Sequence, residues 1–273
     1  MMGAKLIRVG ALARLVLLDG LRRHALIGLV ILAVAGQSGA LFFIDFIPRD
    51  IGRAAADFVL SMAWFAGLIF LFFHAVQVMA LDEEKKVIYG LLARPLSRGE
   101  YVLGVFAGLA LLLLLLNLLL GGLGLATLQV IKGMVSASYF PQLNLAAYLL
   151  AWGGLFALQL LLLAVILLFS GLIRGSFPVL LLSLAYYAIC SGLPVVRQAV
   201  AQQAEALPVL AGLLKALAAV FPDYNHLDYK NLITVAGPWP AAGELLLNFG
   251  LAAAYVVLAL WLACVVYQRR DLQ

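Results

Sequence analysis

The sequence predicts an all-α polytopic membrane protein with six transmembrane helices, on three observations. Of its 273 residues 66% are hydrophobic and only 11% charged, against about 25% charged in ordinary soluble domains, and the mean hydropathy is +1.10. Six apolar runs, 25–47, 58–81, 101–131, 145–173, 177–196 and 243–267, each have the length needed to span a hydrocarbon core. With both termini inside, only Arg49, Arg53, Lys132, Arg197, Lys215 and Lys230 of the 18 basic residues fall on outer segments, which satisfies the positive-inside rule.

Composition also removes some functions. The formal net charge of +5 does not point to nucleic acid, because the basic residues flank apolar runs instead of gathering on a water-exposed face. Cys190 and Cys264 both lie inside apolar runs and read as small hydrophobes, so neither a disulfide frame nor a thiolate metal site is expected.

In residues 1–24, Lys5, Arg8, Asp19, Arg22 and Arg23 fall within an arc of about 100° on a helix, with Arg14 outside it. This amphipathic segment suits either an interfacial helix held on the cytoplasmic leaflet by anionic lipid or a basic flank that fixes topology. The first crossing, 25–47, makes about 35 Å of helix. Ala54-Ala55-Ala56 is cleavage-like, yet the apolar core exceeds the roughly 7–15 residues of a signal peptide, so the segment is read as retained. Pro48 to Asp57 is short and mixed in sign, as suits an outer turn. The second crossing, 58–81, carries His74 and Gln77 at i, i+3 on one face, a pair that either lines a pathway or hydrogen-bonds to a neighbouring helix.

The interval 82–100 is the long charged stretch between two membrane-length runs. Asp82, Glu83 and Glu84 precede Lys85 and Lys86, a charge order that suits a helix dipole. Val87, Ile88, Leu91 and Leu92 form one apolar stripe on a helix too short to span anything. Pro95 forbids continuation, and Ser97 with Glu100 makes an S-x-x-E capping box that opens the third crossing, with Leu96 and Tyr101 at the positions of a hydrophobic staple. The stripe wants a partner surface; a loop with ordinary topology-setting charge is the alternative.

Glu84-x-x-x-Ile88-Tyr89-x-Leu91-Leu92-Ala93-Arg94-Pro95-Leu96-Ser97-Arg98-x-x-Tyr101-x-x-Gly104 resembles the cytoplasmic signature of ABC-2 type permeases, the membrane subunits of a class of ABC transporters. It departs from that signature at Val87-Ile88, where threonine is usual, and at Val105, where lysine is usual. The resemblance implies that 82–100 is a coupling helix docking on a separate ATPase subunit. Glu84, Leu91, Leu92, Arg94, Pro95, Ser97 and Arg98 carry over as docking positions, with Val87 and Ile88 of the apolar stripe beside them.

The third crossing, 101–131, holds Asn117 in mid-run, either touching cargo or bonding another helix, and Gly121, Gly122 and Gly124, which permit close helix contact. The fourth, 145–173, returns to the cytoplasm, and Arg174-Gly175-Ser176 is a minimal inner turn, by resemblance a smaller ATPase contact. After the fifth crossing, 177–196, the interval 197–240 carries Gln202, Gln203, Glu205, Pro208 and Lys215, too many breaks and charges for a lipid-facing span, and reads as external interfacial or re-entrant helices. Phe221 to Lys230 resembles the proline-plus-aromatic outer segment of the same permeases. Asp223, His226 and Asp228 are ligand-type residues in a polar loop, where solvation is the ordinary fate, and no metal site is expected.

No G-x-x-x-x-G-K-(S/T) loop occurs, so the chain is not expected to be an enzyme or to hold a cofactor; ATP and Mg belong to the partner. The expectation is a permease subunit in a bacterial-type inner (cytoplasmic) membrane, with both termini cytoplasmic, two copies of an ATPase, and a second permease subunit, identical or related. It would export a hydrophobic or amphiphilic cargo, with His74, Gln77 and Asn117 as pathway candidates. The alternative is a polytopic membrane enzyme or assembly factor without transport activity, against which stand the absence of a G-x-S-x-G elbow, a His-rich cluster and an intramembrane carboxylate pair.

Overall fold

The computed structural model describes residues 2–22, 28, 30–31, 34–36, 51–84, 96–134, 144–201, 212, 221–234 and 239–270. Among them every regular element is helical. In order these are α1 (Met2–Arg22), α2 (Ile51–Ile69) running through a π-helical turn (Phe70–Ala75) into α3 (Val76–Glu84), α4 (Arg98–Met134), α5 (Leu145–Leu172), α6 (Ser176–Ala201), a 3-10 turn (Tyr224–Leu227), α7 (Asn231–Thr234) and α8 (Ala242–Arg269). Among the described residues, five stretches are long and apolar enough to cross a membrane: Ile51–Asp82, Arg98–Met134, Leu145–Leu172, Ser176–Val196 and Ala242–Arg269. The chain is a multi-pass helical membrane protein.

The first expected crossing, 25–47, lies almost wholly outside the described residues. Its described positions are helical; Val30 packs on the core, and a β-carbon added to Gly36 would meet the Met62 side chain. Two boundaries differ from expectation. Ile51–Asp57 is the start of α2 and not part of an outer turn, because Ala54, Ala55 and Ala56 favour helix while Gly52, Ala55 and Ala56 are buried, leaving Arg53 exposed. The fifth helix runs through Pro194 to Ala201, past the expected limit at Val196. Residues 202–220 lie outside the described residues except Gly212, so the expected external helices are described only in their last part, 221–234.

α5 forms the centre of the bundle, with every residue from Leu161 to Leu167 buried. Asn144 caps its start, Oδ1 accepting from Ala147 N–H at 2.6 Å. At its other end, the link to α6 turns at Gly175, whose φ of 92° favours glycine. α8 and α4 flank α5, and Tyr148 Oη donates to the Gly121 carbonyl at 2.7 Å across the α4–α5 contact. Leu118, Leu149, Leu246, Val257 and Trp261 stay exposed, as lipid-facing side chains do.

Candidate functional site

Five helices are tied together at the end of the bundle that carries Ser97. Ser97 and Glu100 form the capping box expected from their spacing: Ser97 N–H donates to Glu100 Oε2 at 2.8 Å, and Glu100 N–H donates to Ser97 Oγ at 3.2 Å. The same carboxylate receives Arg8 from α1, Nη2 to Oε1 at 2.6 Å and Nε to Oε2 at 3.3 Å. This is a forked, charge-assisted contact. The Glu100 side chain is 7% exposed and that of Arg8 35%. The hydrogen bond to Glu100 is the first cause that raises the Arg8 pKa above its ordinary value.

α1 reaches Glu100 because α4 presents glycine at the two next positions along the contact, Gly104 and Gly108. A β-carbon on Gly104 would stand 2.6 Å from Leu12 Cδ2; one on Gly108 would stand 2.6 Å from Val16 Cβ and 2.8 Å from the Ala13 carbonyl oxygen. Gly20 in turn faces Leu112. Arg8, Leu12, Val16 and Gly20 thus pair in step with Glu100, Gly104, Gly108 and Leu112. α1 runs alongside α4, in the same direction, for about three turns. Leu12, Ala13 and Val16 are buried, while Leu6, Ile7, Leu15 and Leu18 stay exposed along with Lys5, Asp19 and Arg22.

The remaining ends join the same knot. Tyr101 Oη donates to Asp82 Oδ2 at 2.7 Å, linking α4 to the last turns of α3, and the Tyr101 ring stacks on Tyr267 of α8 with centroids 5.6 Å apart. Arg98 Nη1 donates to the carbonyls of Gln268 and Arg270 at 3.0 and 2.6 Å, satisfying acceptors that the end of α8 leaves open. Arg270 Nη1 donates to the Ser170 carbonyl of α5 at 2.7 Å.

Of the expected docking residues, Val87, Ile88, Leu91, Leu92, Arg94 and Pro95 lie outside the described residues, and of Glu84 only the backbone at the end of α3 is described. Ser97 and Arg98 are described, and both bond within the chain. Arg8, Gly108, Tyr101 and Arg270 complete the knot without having been marked by the sequence as site residues. The Gly104-x-x-x-Gly108 spacing was the available signal for the first two.

The pathway candidates are not gathered in one place. Asn117 is buried in mid-α4, where Nδ2 donates to the Leu113 carbonyl at 2.8 Å and to Gln159 Oε1 of α5 at 2.7 Å. Gln159, fully buried among leucines, was missed; its side chain occupies the space that a β-carbon on Gly67 would need. His74 sits in the π-helical turn, its ring 5.1 Å from that of Phe70 and close to Gly20 of α1. Gln77 is exposed.

At the opposite end, residues 221–234 fold over α5. The Leu227 carbonyl lies on Gly154, where any β-carbon would collide with it. Asn248 of α8 secures the segment, Nδ2 donating to the His226 carbonyl at 3.0 Å and to Tyr229 Oη at 3.2 Å. Asp223 and Asp228 accept from the N–H groups of Asn225 and Lys230 at 2.9 and 3.2 Å, so both carboxylates serve turns. Beneath lies a cavity of about 140 Å³ bounded by Trp64, Tyr187, Tyr224 and Asp228, with Trp64 Nε1 donating to Tyr187 Oη at 3.0 Å. Burial holds the Tyr224 hydroxyl well above the ordinary phenol pKa. No protein-family model matches the chain, and no curated protein sequence matches it.

Proposed function

We propose that the chain is the permease subunit of an ABC-2 type transporter, with six crossings, both termini on the cytoplasmic side of a bacterial-type inner membrane, and the Ser97 end facing the cytoplasm. The observation that carries this reading is the motif from Glu84 to Gly104, whose flanks are anchored on both sides. Asp82 and Tyr101 join the helices that enter and leave the docking segment, so a push on residues 85–95 acts on α3 and α4 together. Glu100 carries the same push to α1, and Arg98 carries it to α8.

The energy would come from two copies of a separate ATPase beneath two permease subunits. Closure of the ATPase dimer on ATP and Mg displaces the docking segments, and the braced helices change which side the subunit interface faces. Ser97 and Arg98 act in this scheme as positioning residues, and the stripe Val87, Ile88, Leu91 and Leu92 makes the contact.

The test is a gentle-detergent pull-down of the tagged full chain, with mass spectrometry and an ATPase assay on the eluate. A soluble P-loop protein should accompany the chain and be lost with Leu91→Asp while membrane insertion persists. Recovery of the chain alone in several detergents, without nucleotide hydrolysis, overturns the reading and favours a membrane enzyme or assembly factor.

A further inference from the structure

The cavity of about 140 Å³ beneath residues 221–234 has an aromatic wall and a charged rim. Trp64 of α2, Tyr187 of α6 and Tyr224 of the 3-10 turn all line it, with Tyr187 as the middle ring. The Tyr187 centroid stands 5.9 Å from that of Trp64 and 6.3 Å from that of Tyr224, and the planes are tilted by 43° and 44°. The bond from Trp64 Nε1 to Tyr187 Oη fixes two of the three rings. Aliphatic side chains such as Leu60 and Leu155 complete the wall.

The segment over the cavity supplies the rim. Asp228 Oδ2 lies 3.6 Å from Lys230 Nζ, and the two side chains are 41% and 36% exposed, so both charges are within reach of a ligand. Opposite charges this close favour neither a simple cation nor a simple anion. They fit a molecule that carries both signs a few ångströms apart. Of the two, the cation suits the rings, whose faces attract positive charge. A fully methylated ammonium enters such a wall without stranding an N–H donor. The volume agrees with one such group, since a cavity of about 150 Å³ holds a benzene molecule.

We propose that this cavity is a site for a zwitterion of the phosphocholine type, with its trimethylammonium group against Trp64, Tyr187 and Tyr224 beside Asp228, and its phosphate on Lys230. The chemistry is shared by a phospholipid headgroup and by a free phosphocholine ester. Binding needs no ATPase and stands apart from the permease reading.

The experiment titrates the full chain in maltoside micelles, which carry no ammonium group, and follows ligand protons by saturation-transfer NMR. The probes are glycerophosphocholine, choline, dimethylbutanol as the uncharged carbon isostere of choline, and glycerol phosphate. Glycerophosphocholine should bind saturably, choline more weakly, and the isostere and glycerol phosphate each at least about tenfold more weakly than glycerophosphocholine. Tyr187→Leu should weaken glycerophosphocholine about five- to tenfold, whereas Tyr187→Phe, which keeps the ring face, should stay within about twofold. Asp228→Asn should cost about three- to fivefold, and it retains an acceptor for the Lys230 N–H, so the turn persists. Lys230→Met should narrow the gap between glycerophosphocholine and choline.

An isostere that binds as tightly as choline overturns the cage, because the cavity would then read shape alone. Glycerol phosphate matching glycerophosphocholine does the same, as does the absence of saturable binding or binding that ignores both Tyr187→Leu and Asp228→Asn. Nanodiscs separate the two sources. Glycerophosphocholine that binds in phosphatidylglycerol discs and is excluded from phosphatidylcholine discs assigns the site to a lipid headgroup; equal binding in both assigns it to a free solute, and either result upholds the cage.

Discussion

Arg8 grips both carboxylate oxygens of Glu100, at 2.6 and 3.3 Å, while the same carboxylate caps the first turn of α4 by accepting from the Ser97 N–H. One side chain therefore both starts the helix that follows the proposed docking segment and holds α1 against it. Arg8→Ala and Glu100→Ala should each lower the melting temperature of the detergent-solubilised chain, and the double variant should be no worse than the poorer single, because the two residues act as a unit. Glu100→Gln should fall between wild type and Glu100→Ala, since glutamine keeps the capping box and loses the ion pair. Strict additivity in the double-variant cycle would contradict the pairing.

The approach of α1 depends on Gly108. Gly108→Ala places a methyl group 2.8 Å from the Ala13 carbonyl oxygen, a backbone atom that cannot swing aside, and should destabilise by about 1–3 kcal/mol. Protease sensitivity of α1 should rise with it. Gly122→Ala, with open space around it, should be neutral or stabilise by up to about 1 kcal/mol through helix propensity. Equal behaviour of the two variants would mean that α1 does not pack as described.

The amide pair inside the bundle should show the asymmetry of buried hydrogen bonds. Gln159→Leu alone strips Asn117 of its interhelical partner and should cost about 0.6 kcal/mol, the average for such bonds in membrane helices, and no more than about 1.7. Asn117→Leu with Gln159→Leu should recover most of that loss, because two apolar side chains leave nothing unpaired. Denaturation curves in mixed micelles measure both, and a double variant worse than the sum of the singles would refute the pairing.

Asn248→Ala removes two hydrogen bonds to the segment over α5. Loss of about 1–2 kcal/mol locally should speed amide exchange in 224–234 by on the order of tenfold, with α8 itself unaltered. Unchanged exchange would show that contact with Gly154, and not Asn248, retains the segment.

Hydropathy and capping rules made much of this fold legible. Apolar runs located α4, α5, α6 and α8 to within a few residues at most ends, and Ser97-x-x-Glu100 placed the start of α4 because a capping box is a local device needing no partner. Long-range features escaped. The charged arc on α1 was visible, but the decisive face of that helix carries Leu12, Ala13, Val16 and Gly20, and these acquire meaning only opposite Gly104 and Gly108. Gln159 was one polar residue in a leucine run until Asn117 and Gly67 closed around it. Ile51–Asp57 looked like a turn because its charges outweighed, on paper, the helix preference of three alanines.

The π-helical turn at Phe70–Ala75 bears on how the α2–α3 rod tolerates change. Such a turn holds one residue more than an α-helical one, so everything after it is rotated by about 100° from where an uninterrupted helix starting at Ile51 would put it. Ala63 and Gly67 before the turn, Phe70 and Ala75 at its two ends and Met79 after it face the bundle together because of that extra residue. Deleting a single exposed residue there, Phe73, would let the turn close into ordinary α-helix and keep Asp82 beside the Tyr101 hydroxyl, whereas deleting exposed Ser61 from the α-helical part would leave the hydropathy profile of a membrane span intact and swing Asp82 away by about 100°. That this helix enters a membrane is a matter of its composition; which way its faces point is a matter of counting.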